Sequence, residues 1–205
     1  MLAVQPGREA GANRMKLLQD RILSDGKYLG NGILKVDSFM NHQIDPILMK
    51  AVGEEFARLF EEVKPSKILT AESSGIAPAL ATGMSLKLPI VFARKNKPVT
   101  MAGADFRETA TSHTKGGEVD LVVSSEYLKP EDRVLILDDF LATANTIAAL
   151  VRLVKTSGAT LAGVGAVIEK SFEGGRQVLS GVEVPIHSLA IIDRFDGDKI
   201  VFGGE

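Results

Sequence analysis

Four apolar residues, Val134-Leu135-Ile136-Leu137, run directly into two adjacent carboxylates, Asp138 and Asp139. Phe140-Leu141-Ala142-Thr143-Ala144-Asn145-Thr146 follows. A short unbroken apolar run of this kind predicts a strand buried on both faces, the signature of a parallel sheet covered by helices. Such a strand brings both aspartates to the carboxyl edge of the sheet, where open α/β sheets bind ligands. The small and hydroxylated residues after it leave backbone N–H groups open at a helix N-terminus, a place suited to phosphate. Carboxylates for sugar hydroxyls beside a nest for phosphate point to a ribose-phosphate site.

The rest of the chain repeats the alternation of strand and helix. Residues 15–23 have roughly helical spacing, 26–32 read as a turn rich in glycine, and 33–36 as a short extended piece. Pro46 opens an amphipathic helix whose apolar positions are Leu48, Met49, Val52, Phe56, Leu59 and Phe60. A strand over 67–71, a small-residue helix over 76–86 and a strand over 89–93 make a βαβ unit. Strands over 133–137 and 161–168 flank a helix over 143–154, and 185–192 offers a final strand. The expected core is a doubly wound, mostly parallel α/β sheet. Residues 96–130 pattern weakly until Val119 and predict a β-hairpin or lid. Residues 1–14 are rich in glycine and alanine without an apolar period. They read as an added leader or a misassigned start, with a short natural tail as the alternative, leaving 15–205 as one domain.

Composition excludes several classes of function. With no cysteine among 205 residues, disulfides, thiolate catalysis and cysteine-held zinc are ruled out. A formal net charge of −2 implies no general attraction to nucleic acid. Aromatics at 5 % without tryptophan argue against stacking platforms for single strands. No apolar run reaches membrane-spanning length. His42, His113 and His187 are too scattered for a histidine metal motif. Gly163-Val164-Gly165 lacks the third glycine of a dinucleotide fingerprint and falls inside an expected strand.

Two further segments bear on the site. Glu72-Ser73-Ser74-Gly75 joins a strand to a helix, so its free N–H groups suit a diphosphate, although a plain serine-capped turn reads the same way. Arg94-Lys95-Asn96-Lys97 puts cations after a buried strand, where ordinary surface charge is the plain alternative.

Residues 134–146 resemble the phosphoribosyl-pyrophosphate motif of type I phosphoribosyltransferases: an apolar strand, two acids, then a small-residue loop ending in Thr. Ala144 and Asn145 stand where the common pattern has glycines, and alanine tolerates a left-handed backbone poorly. The resemblance implies catalytic roles for Asp138 and Asp139. It implies a 5′-phosphate cradle from Ala142, Thr143, Ala144, Asn145 and Thr146. Ser73 and Ser74 fall where the family binds pyrophosphate, often through a non-proline cis peptide. Arg94 and Lys95 correspond loosely to the basic residues near the phosphates. The lid would bring Lys115 to the pyrophosphate, and Mg²⁺ would arrive with the substrate and its water.

Residues 36–46 and Val167-Ile168-Glu169-Lys170-Ser171-Phe172 resemble the xanthine-specific bacterial branch, and the likeness spans residue 15 almost to the carboxyl end. It implies base contacts from Leu34 and Asn41 in a hood made by both termini, and from Lys170 to the exocyclic oxygen of a purine. Xanthine salvage in the cytoplasm by a homodimer, without nucleic acid or membrane partners, is what the resemblance implies. A non-catalytic sensor of phosphoribosyl pyrophosphate and an adenine phosphoribosyltransferase are the competing readings. The first lacks a DNA-binding pattern before Val36, and the second is opposed by the Asn41 and Lys170 segments.

Overall fold

The computed structural model describes residues 6–97, 103–111 and 117–203, with side chains from Met15 onward. Helix α1 spans Pro6–Asp25, so the helix expected from residue 15 begins earlier. A two-residue strand β1, Lys27–Tyr28, pairs antiparallel with β2, Leu34–Lys35, inside the segment expected to be only a turn. Asp37–Asn41 forms a single π-helical turn. Helix α2, Pro46–Phe60, begins as its sequence demands. Pro46 needs no N–H partner in the first turn, and Asp45 Oδ1 accepts the amides of Ile47 at 2.9 Å and Leu48 at 3.1 Å.

Strand β3 is Lys67–Ala71, helix α3 Ile76–Leu86 and strand β4 Ile90–Ala93. Strands β5, Asp105–Thr111, and β6, Glu118–Ser124, form the expected antiparallel hairpin. Strand β7, Arg133–Leu141, extends past the expected end at Leu137, so Asp138 and Asp139 lie within it. Pairing of Phe140 with Ile168 and of Leu141 with Glu169 extends the ladder beyond the acids. Helix α4, Asn145–Thr156, and strand β8, Thr160–Lys170, follow. A short helix α5, Gly175–Val178, leads to β9, Ile186–Asp196, and β10, Lys199–Phe202. Thus β9 is longer than expected and is not the last strand. The central sheet has the order β10-β9-β8-β7-β3-β4, parallel throughout except for β10.

Alternation along β7 builds a core on each face of the sheet. Leu135 and Leu137 pack with Met49, Phe56 and Phe60 of α2 and with Leu18 and Ile22 of α1. Val134 and Ile136 pack on the other face with Ile147, Leu150 and Leu153 of α4 and with Leu121 of the hairpin. All four β7 side chains are fully buried, and truncating one, as in Ile136→Ala, costs about 2–5 kcal/mol. The two glycines of β8 serve this packing. A Cβ on Gly163 would lie 2.7 Å from the Phe60 ring, and one on Gly165 2.5 Å from Leu137 and 2.8 Å from Phe56. They are notches for helix α2, consistent with discarding them as nucleotide ligands.

Two peripheral pieces frame the carboxyl edge. The hood joins the two ends of the chain: Tyr28 stacks on Phe195 with ring centroids 4.1 Å apart, and Phe172 meets the same ring edge-on at 5.7 Å. The hairpin is pinned on two sides. Arg94 and Val122 exchange backbone hydrogen bonds of 2.9 Å, and Arg152 of α4 donates to Glu108 Oε2 at 2.8 Å and to the Thr109 carbonyl at 2.9 Å. No helix among the described residues is long and apolar enough to cross a membrane.

Candidate active site

A cleft of about 340 Å³ opens at the carboxyl edge between hood and hairpin. Its acidic wall comes from β7. Asp138 is buried and Asp139 half-buried, and the Asp139 amide donates to Asp138 Oδ1 at 3.0 Å. Burial pushes the Asp138 carboxyl well above the usual carboxylate range, and the charge of Asp139 pushes it further, while Lys95 pulls the other way. Lys95 lines the same cleft, which places a cation after β4 in this site.

The loop after β3 supplies the next wall. Its Glu72–Ser73 peptide is cis, as the family pattern implies for this position. Glu72 Oε1 accepts the Lys95 amide at 2.7 Å, and Oε2 pairs with Arg94 Nε at 2.7 Å, so one carboxylate ties the loop to the end of β4. Gly75 is required here by space. A Cβ would sit 2.2 Å from Thr70 Oγ1 and 2.9 Å from Asp138 Oδ1. The sequence alone marks Gly75 as a turn residue; its press against the acidic pair is visible only in three dimensions.

At the N-terminus of α4, Ala142, Thr143, Ala144, Asn145 and Thr146 all line the cleft. Ala144 takes up the left-handed conformation expected of a glycine there, with φ +61° and ψ 12°. The loop therefore keeps its shape without the glycine, at a conformational cost of about 1–2 kcal/mol. The N–H groups of the first α4 turn are left for a ligand, since no side chain caps this helix.

At the far end, Lys170 is buried at the tip of β8. Its ammonium donates to the Gly32 carbonyl at 3.0 Å, pairs with Glu173, and lies 5.8 Å from the centre of the Phe140 ring. Leu34, Asn41 and Ile33 of the hood line the cleft beside it.

The geometry thus gathers Leu34, Asn41, Ser74, Lys95, Asp138, Asp139, Lys170 and the whole 142–146 loop around one cleft. Two expected residues stand outside it. Ser73 is not on the wall, because the turn presents Ser74 instead. Arg94 is held back by Glu72 and packs over Phe92 at 5.6 Å, which assigns it to bracing the loop. Lys115 lies outside the described residues. Residues 110, 111, 119 and 121 of the hairpin also line the cleft and were not singled out in the sequence, where only the hairpin as a whole was legible.

Residues 41–182 match the family model described as the phosphoribosyl transferase domain. The xanthine phosphoribosyltransferase of Deinococcus deserti is 51 % identical over 192 residues, covering 93 % of this chain and all of that protein. That of Moorella thermoacetica is 48 % identical over 92 % of this chain and 96 % of its own length. Among solved structures, the adenine phosphoribosyltransferase of Rhodothermus marinus superposes with a TM-score of 0.72 at 25 % identity, covering 88 % of this chain and 99 % of that one. That of Trypanosoma brucei, complexed with AMP, pyrophosphate and ribose-5-phosphate, reaches 0.72 at 22 % identity over 91 % of this chain and 86 % of that one, and shows likeness of fold.

Proposed function

The chain belongs to the phosphoribosyltransferase family, and from that premise we propose that it joins xanthine to phosphoribosyl pyrophosphate, giving xanthosine 5′-monophosphate and pyrophosphate. The observation that carries the choice of base is the buried ammonium of Lys170 at the hood end of the same cleft that holds Asp138 and Asp139. Adenine presents an amino donor where xanthine presents an oxygen, and a lysine has donors only. The sensor reading has no observation in its favour.

In this reading the phosphoribosyl group lies along the cleft. The 142–146 loop and the α4 N-terminus bind the 5′-phosphate through backbone N–H groups and the hydroxyls of Thr143 and Thr146. Ser74, with the amides of its turn, and Lys95 bind the pyrophosphate. The bond from the anomeric carbon to pyrophosphate weakens as a ring nitrogen of the base attacks, and that nitrogen loses its proton. Positive charge builds on the sugar ring meanwhile, and the negative field of Asp138 and Asp139 stabilises it while they hold the ribose hydroxyls. Leu34 and Phe140 contact the faces of the base, and Asn41, able to donate and accept, reads a second edge. No covalent intermediate with the protein is needed, because positioning and electrostatics supply the catalysis.

The donor set also bears on the metal. Among the described residues no group of three or more His, Cys, Asp and Glu could hold a cation alone. Two adjacent carboxylates beside a diphosphate cradle fit a Mg²⁺ brought with the substrate, and Asp138 and Asp139 would help to hold it. Bound there, the ion neutralises charge on the leaving pyrophosphate. We place this reaction in the cytoplasm and in a homodimer. Leu80, Met84 and Phe92, exposed on α3 and the sheet-edge strand β4, support the dimer. Pyrophosphate release measured across xanthine, guanine, hypoxanthine and adenine tests the assignment.

A further inference from the structure

The tip of β8 carries two ionised residues with opposite assignments. Lys170 faces the cleft. Glu169, one position earlier, points to the other face of the sheet and is 3 % exposed. Its carboxylate is fully engaged. Arg176 Nε donates to Oε1 at 2.9 Å, Arg176 Nη2 to Oε2 at 2.8 Å, and Ser188 Oγ to Oε2 at 2.6 Å. The remaining arm of the guanidinium, Nη1, donates to the Ile186 carbonyl at 3.0 Å. A bidentate fork of this kind fixes the relative orientation of its partners as well as their distance.

What the fork orients is the other end of the site. Arg176 lies in the first turn of α5, and the residue before it, Gly175, presses on the phosphate loop. A Cβ on Gly175 would fall 2.3 Å from the Ala142 carbonyl oxygen and 2.9 Å from Leu141 Cδ1. Leu141 is in turn the register partner of Glu169 across β7 and β8. A closed path therefore runs from Lys170 to Glu169, across the fork to Arg176, and through Gly175 to Ala142. An ion pair between a buried carboxylate and a half-exposed guanidinium contributes little net stability over apolar residues of equal volume, so stability alone gives a weak reason for this one.

We propose that the Glu169–Arg176 fork is a positioning device that sets the separation between the base-reading lysine and the 5′-phosphate loop. The inference rests on the roles given above to Lys170 and to the 142–146 loop. Neither Glu169 nor Arg176 lines the cleft, so both act through other residues. Phosphoribosyl pyrophosphate and base must reach one another at a fixed span, and a shift of about 1 Å in a supporting element can cost up to 100-fold.

Two variants test it. Arg176→Lys keeps the charge and loses the fork. The double variant E169Q/R176Q removes both charges, so neither is left buried alone. For each, kcat, the KM for xanthine, the KM for phosphoribosyl pyrophosphate and the thermal midpoint are measured. The double variant is expected to raise both KM values about tenfold or more, with a smaller rise in Arg176→Lys. A merely structural role removes active molecules, which lowers kcat and leaves both KM values in place. A folded double variant with both KM values at the parental level overturns the proposal. Lys170→Met serves as the separate control. If it leaves the KM for the base unchanged, the reading of Lys170 has failed, and the fork is judged on the KM for phosphoribosyl pyrophosphate alone.

Discussion

The Lys170 ammonium donates to the Gly32 carbonyl across 3.0 Å, joining the tip of β8 to a turn 138 positions earlier in the chain. The hood is thereby closed over the end of the cleft by the same group proposed to read the base. Glu173 takes a second donor of that ammonium, and the Phe140 ring covers part of the rest. Lys170→Met keeps the apolar stem and removes the donors. The kcat/KM for xanthine is expected to fall about 100-fold or more, while that for adenine changes little. Steady-state kinetics on the two bases measure the ratio, and an unchanged preference for xanthine would exclude Lys170 from base reading.

Asp138 is expected to trade stability for function. Its carboxyl is held well above the ordinary value of 3.8 by burial first and by Asp139 second. Above that value the unfolded chain has released a proton that the folded chain still binds. Stability therefore falls as pH rises from 3.8 through the folded-state value. Asp138→Asn keeps the shape and has no proton to lose. Its thermal midpoint at neutral pH should exceed that of the parent, and the gap should close as pH falls toward 3.8. Its kcat should drop about 100-fold, because an amide cannot become the negative charge proposed to face the ribose ring. Melting curves across pH and one kinetic series measure both, and a destabilised Asp138→Asn at neutral pH would contradict the first.

Ala144 holds φ at +61° where glycine is at ease. Ala144→Gly removes a strain of about 1–2 kcal/mol and adds about 0.4–1 kcal/mol of unfolded-state entropy, leaving a gain of about 0–1.6 kcal/mol, centred on ~1 kcal/mol. The melting midpoint should rise by about 2–4 °C, with the KM for phosphoribosyl pyrophosphate unchanged or lower. A lower midpoint would mean that the buried methyl contributes more packing than the backbone loses.

Gly75 leaves no room for a side chain between Thr70 and Asp138. Gly75→Ala is expected to displace the 72–75 turn or the Asp138 carboxyl. The KM for phosphoribosyl pyrophosphate should rise about tenfold or more, and the KM for xanthine should move less. A fall in kcat with both KM values unchanged would place the damage in the fold as a whole.

Much of this architecture can be read along the chain, and the exceptions have physical causes. Strand β7 was legible as an apolar run, but its continuation through Asp138 and Asp139 was not, because two acids inside a parallel strand contradict its usual composition. Backbone pairing of Phe140 and Leu141 to β8 overrides that composition. Strand β10 carried a signal that went unused: Gly197-Asp198 is a two-residue connection between Asp196 and Lys199, which face each other in the ladder, and Gly197 has φ +58°. Lys170 read as a surface lysine in isolation, since burial of an ammonium depends on Gly32, Glu173 and Phe140 arriving from three other segments. Arg94 was attributed to phosphate by loose resemblance to the basic residues of the family, and the partner that pairs with it, Glu72, is visible only once β3 and β4 lie side by side. The Glu169–Arg176 fork left no trace in the sequence beyond two charges seven positions apart.

The central claim is that one cleft holds phosphoribosyl pyrophosphate at the Asp138 end and an oxygen-bearing purine at the Lys170 end. Pyrophosphate release from Mg²⁺-phosphoribosyl pyrophosphate, measured with xanthine, guanine, hypoxanthine, adenine and uracil in parallel, tests it most directly. The expected result is the highest kcat/KM with xanthine and adenine lower by about 100-fold or more. Turnover of adenine at or above the rate for xanthine, or binding of phosphoribosyl pyrophosphate with no turnover of any base, would contradict it.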